Sequence, residues 1–412
     1  MSTRRCVLVG GGVAAASAAT ALRRRGYDGE VVLVGDEPIA PYERPPLSKD
    51  FLLGGTQLPD LHPQAPGWYE TEQVELRLGT RVTAVDAGAR SVTLSTGDRL
   101  GYDDLVLATG VRARRLPGFD GDGVHYLRTA ADATRLREEL AAADRIAVLG
   151  AGFVGCEVAA AAASLGKQVT VFEPAPVPLA RALGEAIGTV LMDIHREHRV
   201  EIRAGEHVTS FERGSGGFVL TTGRGERIEA DVIVVGVGSL PNVELAEAAG
   251  LAVDGGIVVD AYGRTSAPHV YAAGDAVIQH HPRYGEPIRV EHHDTAVRQG
   301  AHVAATVAGE PEPFEEAHWF WSDQYEHSLQ STGRMGALDT VVLRGSLAER
   351  SFSAFSLVDG RIQGVISLNR PRDVLEVRRV LFTPHEVTAE QLTDESVPLK
   401  RLFPRAKPVR AR

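Results

Sequence analysis

The chain has 412 residues, enough for roughly two to three domains of about 150 residues each. Apolar residues make up 43% and charged residues 24%, which supports ordinary buried cores and excludes wholesale disorder. With 44 basic against 54 acidic side chains the net charge is −10, so nucleic acid is not an expected partner.

The first strand is predicted over Arg5–Val9, followed by Gly10-x-Gly12-x-x-Ala15 and an Ala-rich helix to Arg25. A second strand, Glu30–Val34, leads to Asp36. Arg4 and Arg5 ahead of the apolar stretch Cys6–Leu22 mimic a secretory signal. The glycines inside that stretch and the strand after it argue for a nucleotide loop instead. Arg99–Thr109 reads as one strand-like run ending at Gly110. Arg145–Leu149 then repeats the opening plan, with Gly150-x-Gly152-x-x-Gly155, a helix to Leu165, and a strand Gln168–Phe172 ending at Glu173. The stretch Ile146–Leu165 has nearly the length of a membrane span, but its glycines and Glu157 exclude that use, and no membrane contact is expected. Further strands are predicted over Asp231–Val237, closing in Gly236-Val237-Gly238, over Ile257–Val259, and from Val270 to the Gly274-Asp275 turn.

Asp36 follows Gly10 by 26 positions and Glu173 follows Gly150 by 23, near the spacing of about 20 in a dinucleotide-binding βαβ unit. The first glycine makes the tight turn, the second lets backbone approach a pyrophosphate, and the third position must be small for helix–strand packing. The helix N-terminus offers unpaired N–H groups to the phosphates, and the carboxylate at the strand end accepts from ribose hydroxyls. A 2′-phosphate would want a basic residue at that strand end, whereas Glu173 is followed by no base before Arg181. NADH is therefore favoured over NADPH. The predicted class is α/β, with two Rossmann-like units.

Several stretches are more specific than these fingerprints. They are Pro41-Tyr-Glu-Arg-Pro-Pro-Leu-Ser-Lys49, Tyr126-Leu-Arg-Thr129, Trp321-Ser-Asp-Gln324, Leu368-Asn-Arg-Pro371 and Asp394-Glu-Ser-Val-Pro-Leu399. Through them the whole chain resembles the FAD-dependent NADH:ferredoxin reductases of the putidaredoxin-reductase and rubredoxin-reductase type, which serve haem monooxygenases and ring dioxygenases. The resemblance implies an FAD-binding domain in two segments, 1–112 and 246–318. It further implies an NAD-binding domain at 113–245 and a C-terminal α+β domain at 319–412. FAD would lie along Gly10, Gly12, Ala14 and Ala15, with Asp36 on the ribose. Arg44, Lys49, Val82, Arg128, Asp275 and Trp321 match positions that line the flavin, and the segment containing His293 approaches it. NADH would be held by Gly150, Gly152, Gly155, Glu173 and the Gly238 turn. Near His293, several relatives carry an aromatic or apolar residue, and Asn in place of Thr295, so the resemblance does not fix the contacts there.

The only cysteines, Cys6 and Cys156, are far apart and form no CxxC pair, so a redox-active disulfide is not expected. The same count points to a reducing, cytoplasmic setting. A dinucleotide gives electrons in pairs and an iron–sulfur protein takes them singly, so a flavin must stand between them. Lys49 and Glu157 are the catalytic candidates, expected to pair beside the reactive flavin nitrogen. Glu157 is placed in the first helical turn, where the dipole favours a carboxylate. The expected activity is electron transfer from NADH via FAD to a two-iron ferredoxin serving a monooxygenase system. Rubredoxin is an alternative carrier, and a regulatory NADH-flavoprotein akin to apoptosis-inducing factor an alternative role. Arg370, Arg372, Arg378 and Arg379, with the tail Lys400, Arg401, Arg405, Lys407, Arg410 and Arg412, are candidates for steering an acidic carrier. No metal site is expected.

Overall fold

The computed structural model describes residues 4–214, 216–335 and 340–403. They fall into two compact units, each assembled from three stretches of chain. The first comprises the residues up to Pro45, Gln57–Arg112 and Ser239–His318. The second comprises Pro46–Thr56, Ala113–Gly238 and Trp319 onward.

The first unit is built on an all-parallel five-stranded sheet, in the spatial order Val270–Ala272, Asp104–Leu107, Arg5–Val9, Glu30–Val34, Val74–Arg77. Its central strand is a continuous apolar run because both faces are covered, as parallel sheets require. The helices Val13–Arg24 and His293–Val307 lie against each other on one side. They approach so closely that a Cβ on Gly300 would meet the Ala14 carbonyl at 2.1 Å. Ser17 Oγ also donates to Val297 O across that contact. Small residues on both helices are what let their N-termini reach the same end of the sheet.

The run Arg99–Thr109 is two strands rather than one. Arg99–Gly101 closes an antiparallel sheet with Val82–Asp86 and Ser91–Leu94, while Asp104–Leu107 enters the parallel sheet. The break falls where Tyr102 N donates to Arg90 O and the Asp103 carboxylate accepts from Arg5 N. Those bonds turn the chain from one ladder to the other, and apolar content alone does not register it.

The second unit repeats the parallel design, ordered Glu201–Ala204, Gln168–Glu173, Arg145–Leu149, Val232–Val235, Val124–His125. An antiparallel sheet of Val208–Gly214, Gly217–Thr222 and Arg227–Ala230 accompanies it. The short helix Asp50–Leu53 belongs here: Leu52 is buried among Leu136, Val158 and Ala162, and the Arg137 guanidinium covers the Phe51 ring at 4.5 Å. From Trp319 the chain forms a five-stranded antiparallel sheet, ordered Trp319–Gln324, His327–Gly333, Arg361–Leu368, Ser351–Val358, Thr340–Ser346. The helix Pro371–Val380 packs its Val374 and Val377 on that sheet. Buried Arg344 donates to the carbonyls of Leu392, Asp394 and Val397, tying down the segment that follows.

The signal-like stretch is the first strand and helix, and the span-like stretch is Arg145–Leu149 followed by Phe153–Ser164. No helix among the described residues is long and apolar enough to cross a membrane.

Candidate dinucleotide and charge-pair sites

In the first unit three turns converge. Gly10 adopts φ +131°, and a Cβ there would strike the Ala108 carbonyl at 2.1 Å, so only glycine turns the chain so tightly. Gly12 caps the helix Val13–Arg24 in extended conformation, with no side-chain cap and no acid in the first turn. Nothing would touch a Cβ on Gly12, so open space faces those free amides, which fits a pyrophosphate. Ala14 and Ala15 follow, buried. Gly274, next to Asp275, lies within reach of Ala14 and Ala296, which brings in the N-terminus of His293–Val307. Thr295 Oγ1 is buried there with no hydrogen-bond partner among the described residues. An orphaned hydroxyl at a helix N-terminus marks a place where a ligand acceptor or donor fits.

Asp36 is exposed in the bend after the second strand, 3.2 Å from Arg81. The better-buried acid is its neighbour Glu37, which takes Arg44 at 2.7 Å and the Tyr42 hydroxyl at 2.6 Å. Burial works against the Arg44 guanidinium, but Tyr42, Glu37 and Asp275 outweigh it and raise its pKa. Val82 is buried at the start of its strand. His293 Nε2 stands 3.7 Å from Glu43, and its proximity, outweighing the opposing effect of burial, holds that carboxyl below its usual range.

The second unit carries the second glycine turn. A Cβ on Gly155 would meet the Gly150 carbonyl at 2.1 Å, so the helix Phe153–Ser164 packs directly on the turn. Gly152 caps that helix with no side-chain cap and no acid in the first turn. Gly150 lies against Gly236, which leads into the Gly238 turn. Glu173 Oε2 accepts from Ala151 N at 2.7 Å and Oε1 from Ala175 N at 2.8 Å. The acid thus braces the turn that it closes.

Lys49 and Glu157 do pair, Nζ to Oε1 at 3.0 Å, with side chains 14% and 7% exposed. Glu157 is the fifth helical residue, in the second turn, so the expected first-turn dipole contact is replaced by side-chain donors. Ser322 Oγ donates to its Oε1 at 2.6 Å and Ser48 Oγ to its Oε2. Sequence reasoning passed over both serines, although each adjoins a residue it named, Lys49 and Trp321. Trp321 stacks on Trp319 with centroids 5.0 Å apart. Arg128 precedes the helix Ala130–Ala142, its backbone N–H donating to Asp132.

Both cysteines are free and buried. Burial pushes each thiol up, and Cys156 Sγ points at Ala151 O. Of the basic candidates, Arg370 is engaged by Asp373 and Glu395, Arg379 by Glu376, and Arg378 lies over the Trp319 ring. Arg405, Lys407, Arg410 and Arg412 lie outside the described residues.

Residues 4–300 match the model of the pyridine nucleotide-disulphide oxidoreductase family, and residues 319–403 match that of the reductase C-terminal domain. The chain is 43% identical to the ferredoxin–NAD(+) reductase component of the anthranilate 1,2-dioxygenase system of Burkholderia cepacia, over 97% of this chain and 99% of the relative. It is 40% identical to rhodocoxin reductase of Rhodococcus erythropolis, over 97% and 95%. Among solved structures, the covalent putidaredoxin reductase–putidaredoxin complex superposes with a TM-score of 0.94 at 37% identity, covering 98% of each chain. The ferredoxin reductase of the CYP199A2 system from Rhodopseudomonas palustris superposes with a TM-score of 0.93 at 37% identity, covering 96% of this chain and 99% of that one. The chain therefore belongs to the pyridine nucleotide-disulphide oxidoreductase family, in the branch of putidaredoxin-reductase-type ferredoxin reductases that carry the reductase C-terminal domain.

Proposed function

We propose that the chain is an NADH-dependent flavoprotein reductase that passes electrons one at a time to a two-iron ferredoxin serving an oxygenase. The observation that carries this reading is the pair of uncapped, glycine-turned helix N-termini, one per unit, in a chain whose cysteines are both buried and inert. Two dinucleotides can be held, and no protein sulfur is placed to relay electrons onward.

In this reading segments 1–112 and 246–318 hold FAD, residues 113–245 hold NADH, and 319–412 form the C-terminal domain. The amides after Gly10 and Gly12 bind the FAD pyrophosphate, with Asp36 and Asp275 on its hydroxyls and Arg44, Val82, Arg128, His293 and Trp321 along it. Gly150, Gly152, Gly155 and Gly238 admit NADH, and Glu173 takes its ribose. When bound, FAD supplies a centre that accepts two electrons from NADH and releases them singly. Lys49 and Glu157 would stand beside its reactive nitrogen and would fix the local charge there, the kind of preorganised electrostatics that costs no rearrangement during reaction. The setting is cytoplasmic, as suits two free thiols.

The test is NADH-driven cytochrome c reduction by the FAD-loaded protein, with and without a panel of two-iron ferredoxins and rubredoxins. Strong dependence on a two-iron carrier is expected. Slow flavin reduction with no carrier dependence would favour the regulatory role instead.

A further inference from the structure

Glu157 does not end its polar contacts at Ser322. Gln324, two residues along the same strand, brings Nε2 to 3.2 Å from Ser322 Oγ. Its Oε1 faces His195 Nε2 at 3.0 Å, and His195 Nδ1 faces the Tyr325 hydroxyl at 2.9 Å. Ser322, Gln324 and His195 are buried, His195 completely, among the apolar side chains of the second unit.

The chemistry fixes the direction of every bond. Glu157 accepts, so Ser322 donates to it and must itself accept from the Gln324 N–H. The amide oxygen then faces His195, which must carry its proton on Nε2. Nδ1 is left to accept from Tyr325. All donors point one way, towards Glu157. An amide in the middle of the row does not pass a proton along readily, so the row orients groups rather than conducting.

Two observations argue that the arrangement is more than filler. An apolar core of the same shape would be at least as stable as a row of buried polar groups. Tyr325 is also held at φ +56° in the turn between two strands, a conformation that L side chains adopt at a cost, and it stacks on His198 at 3.6 Å. That turn is what aims its hydroxyl at His195.

We propose that His195 is a positioning residue for the Lys49–Glu157 pair, acting through Gln324 and Ser322. The inference rests on the reading of that pair as the charge centre beside the flavin.

The test uses the full-length, FAD-loaded protein and the variants His195→Phe, His195→Gln and Gln324→Met. Three quantities are read: the rate of flavin bleaching at saturating NADH, the NADH Kd, and the flavin midpoint potential from dithionite titration. His195→Phe and Gln324→Met should slow bleaching about 10-fold while the Kd stays within about 2-fold. Their midpoint potential should fall, because Ser322, no longer oriented from behind, donates less well to the Glu157 carboxylate, which then presents more negative charge to the flavin. His195→Gln, which keeps a donor at the Nε2 position, should recover to within about 3-fold of the parent rate. Unchanged rate and potential in a folded His195→Phe protein would overturn the proposal, as would a His195→Gln variant as impaired as His195→Phe. Should His195→Phe not fold, Gln324→Met decides on the same criteria. The dithionite titration needs no NADH: potentials that separate the variants in a protein that NADH does not reduce would retire the reductase reading and keep the positioning role. A chain that takes up no FAD would overturn both.

Discussion

The carboxylate of Glu173 grips the amide of Ala151 at 2.7 Å, across the mouth of the second glycine turn. Its other oxygen holds Ala175 N, so the side chain is fixed before any ribose arrives. Each oxygen keeps a second lone pair for a hydroxyl. Replacing Glu173 with Ala removes both the brace and the acceptor. KM for NADH should rise about 10- to 100-fold while kcat changes little, because the contact is to a part of the substrate that does not react. Glu173→Arg should in addition improve the use of NADPH relative to NADH, read as the ratio of the two kcat/KM values.

Lys49 and Glu157 share one nearly dry place. Removing one partner strands the other, and Glu157→Ala should lower stability by about 3–5 kcal/mol in chemical denaturation. The double variant Lys49→Met/Glu157→Leu should be less destabilised than Glu157→Ala alone, since no unpaired charge remains. Both proteins should still bind FAD, and flavin reduction by NADH in stopped-flow should slow about 100-fold. Reduction at the parent rate would remove the pair from the chemistry.

Gly155 admits no Cβ: the Gly150 carbonyl occupies that position. Gly155→Ala should push the helix Phe153–Ser164 off the turn, costing about 1–3 kcal/mol and abolishing NADH saturation. FAD content, read from the flavin absorbance of the purified protein, should be retained because the first unit has its own turn. Gly10→Ala should do the opposite and yield protein without flavin.

Burial pulls the His195 pKa down to about 4, with desolvation outweighing the hydrogen bond to Gln324. Its unfolded value is about 6.5, so between those pH values the unfolded chain binds the extra proton. Stability should therefore fall as pH drops from about 6.5 to about 4, and be insensitive to this group above that window. His292 and His318 are lowered by burial as well and steepen the same slope. His195→Gln should flatten the pH dependence of the denaturation midpoint in that window and leave it unchanged near pH 8; an equally steep slope would show that His195 is not the titrating group.

What the sequence made legible was local. Strands Arg5–Val9, Glu30–Val34 and Arg145–Leu149 form at their expected bounds, because a short apolar run before a glycine turn has few other ways to fold. The split of Arg99–Thr109 was hidden, since Asp103 acts through the backbone of Arg5, far away in the chain. So was the preference of Arg44 for Glu37, because periodicity does not say which of two adjacent acids turns inward. Lys49 and Glu157 were found through motifs that are individually conspicuous. The residues behind them were not: His195 carries no pattern of its own, and although Gln324 closes the Trp321-Ser-Asp-Gln324 stretch, nothing in that stretch points to a partner 129 positions earlier.

The segment Pro46–Thr56 lies early in the chain yet belongs with the second unit. A recombination event with one breakpoint on either side of Ala113–Gly238 would import a new second glycine turn and a new Glu157, but leave the resident Lys49 and Ser48 behind. Hybrids between such reductases would join a lysine selected in one lineage to a glutamate selected in another. The shortest exchange that keeps the pair of common descent takes the early segment as well, and for Ser322 the end of the chain too. Inheritance in this protein is therefore constrained by three separated stretches at once, and nicotinamide handling is poorly separable from the rest.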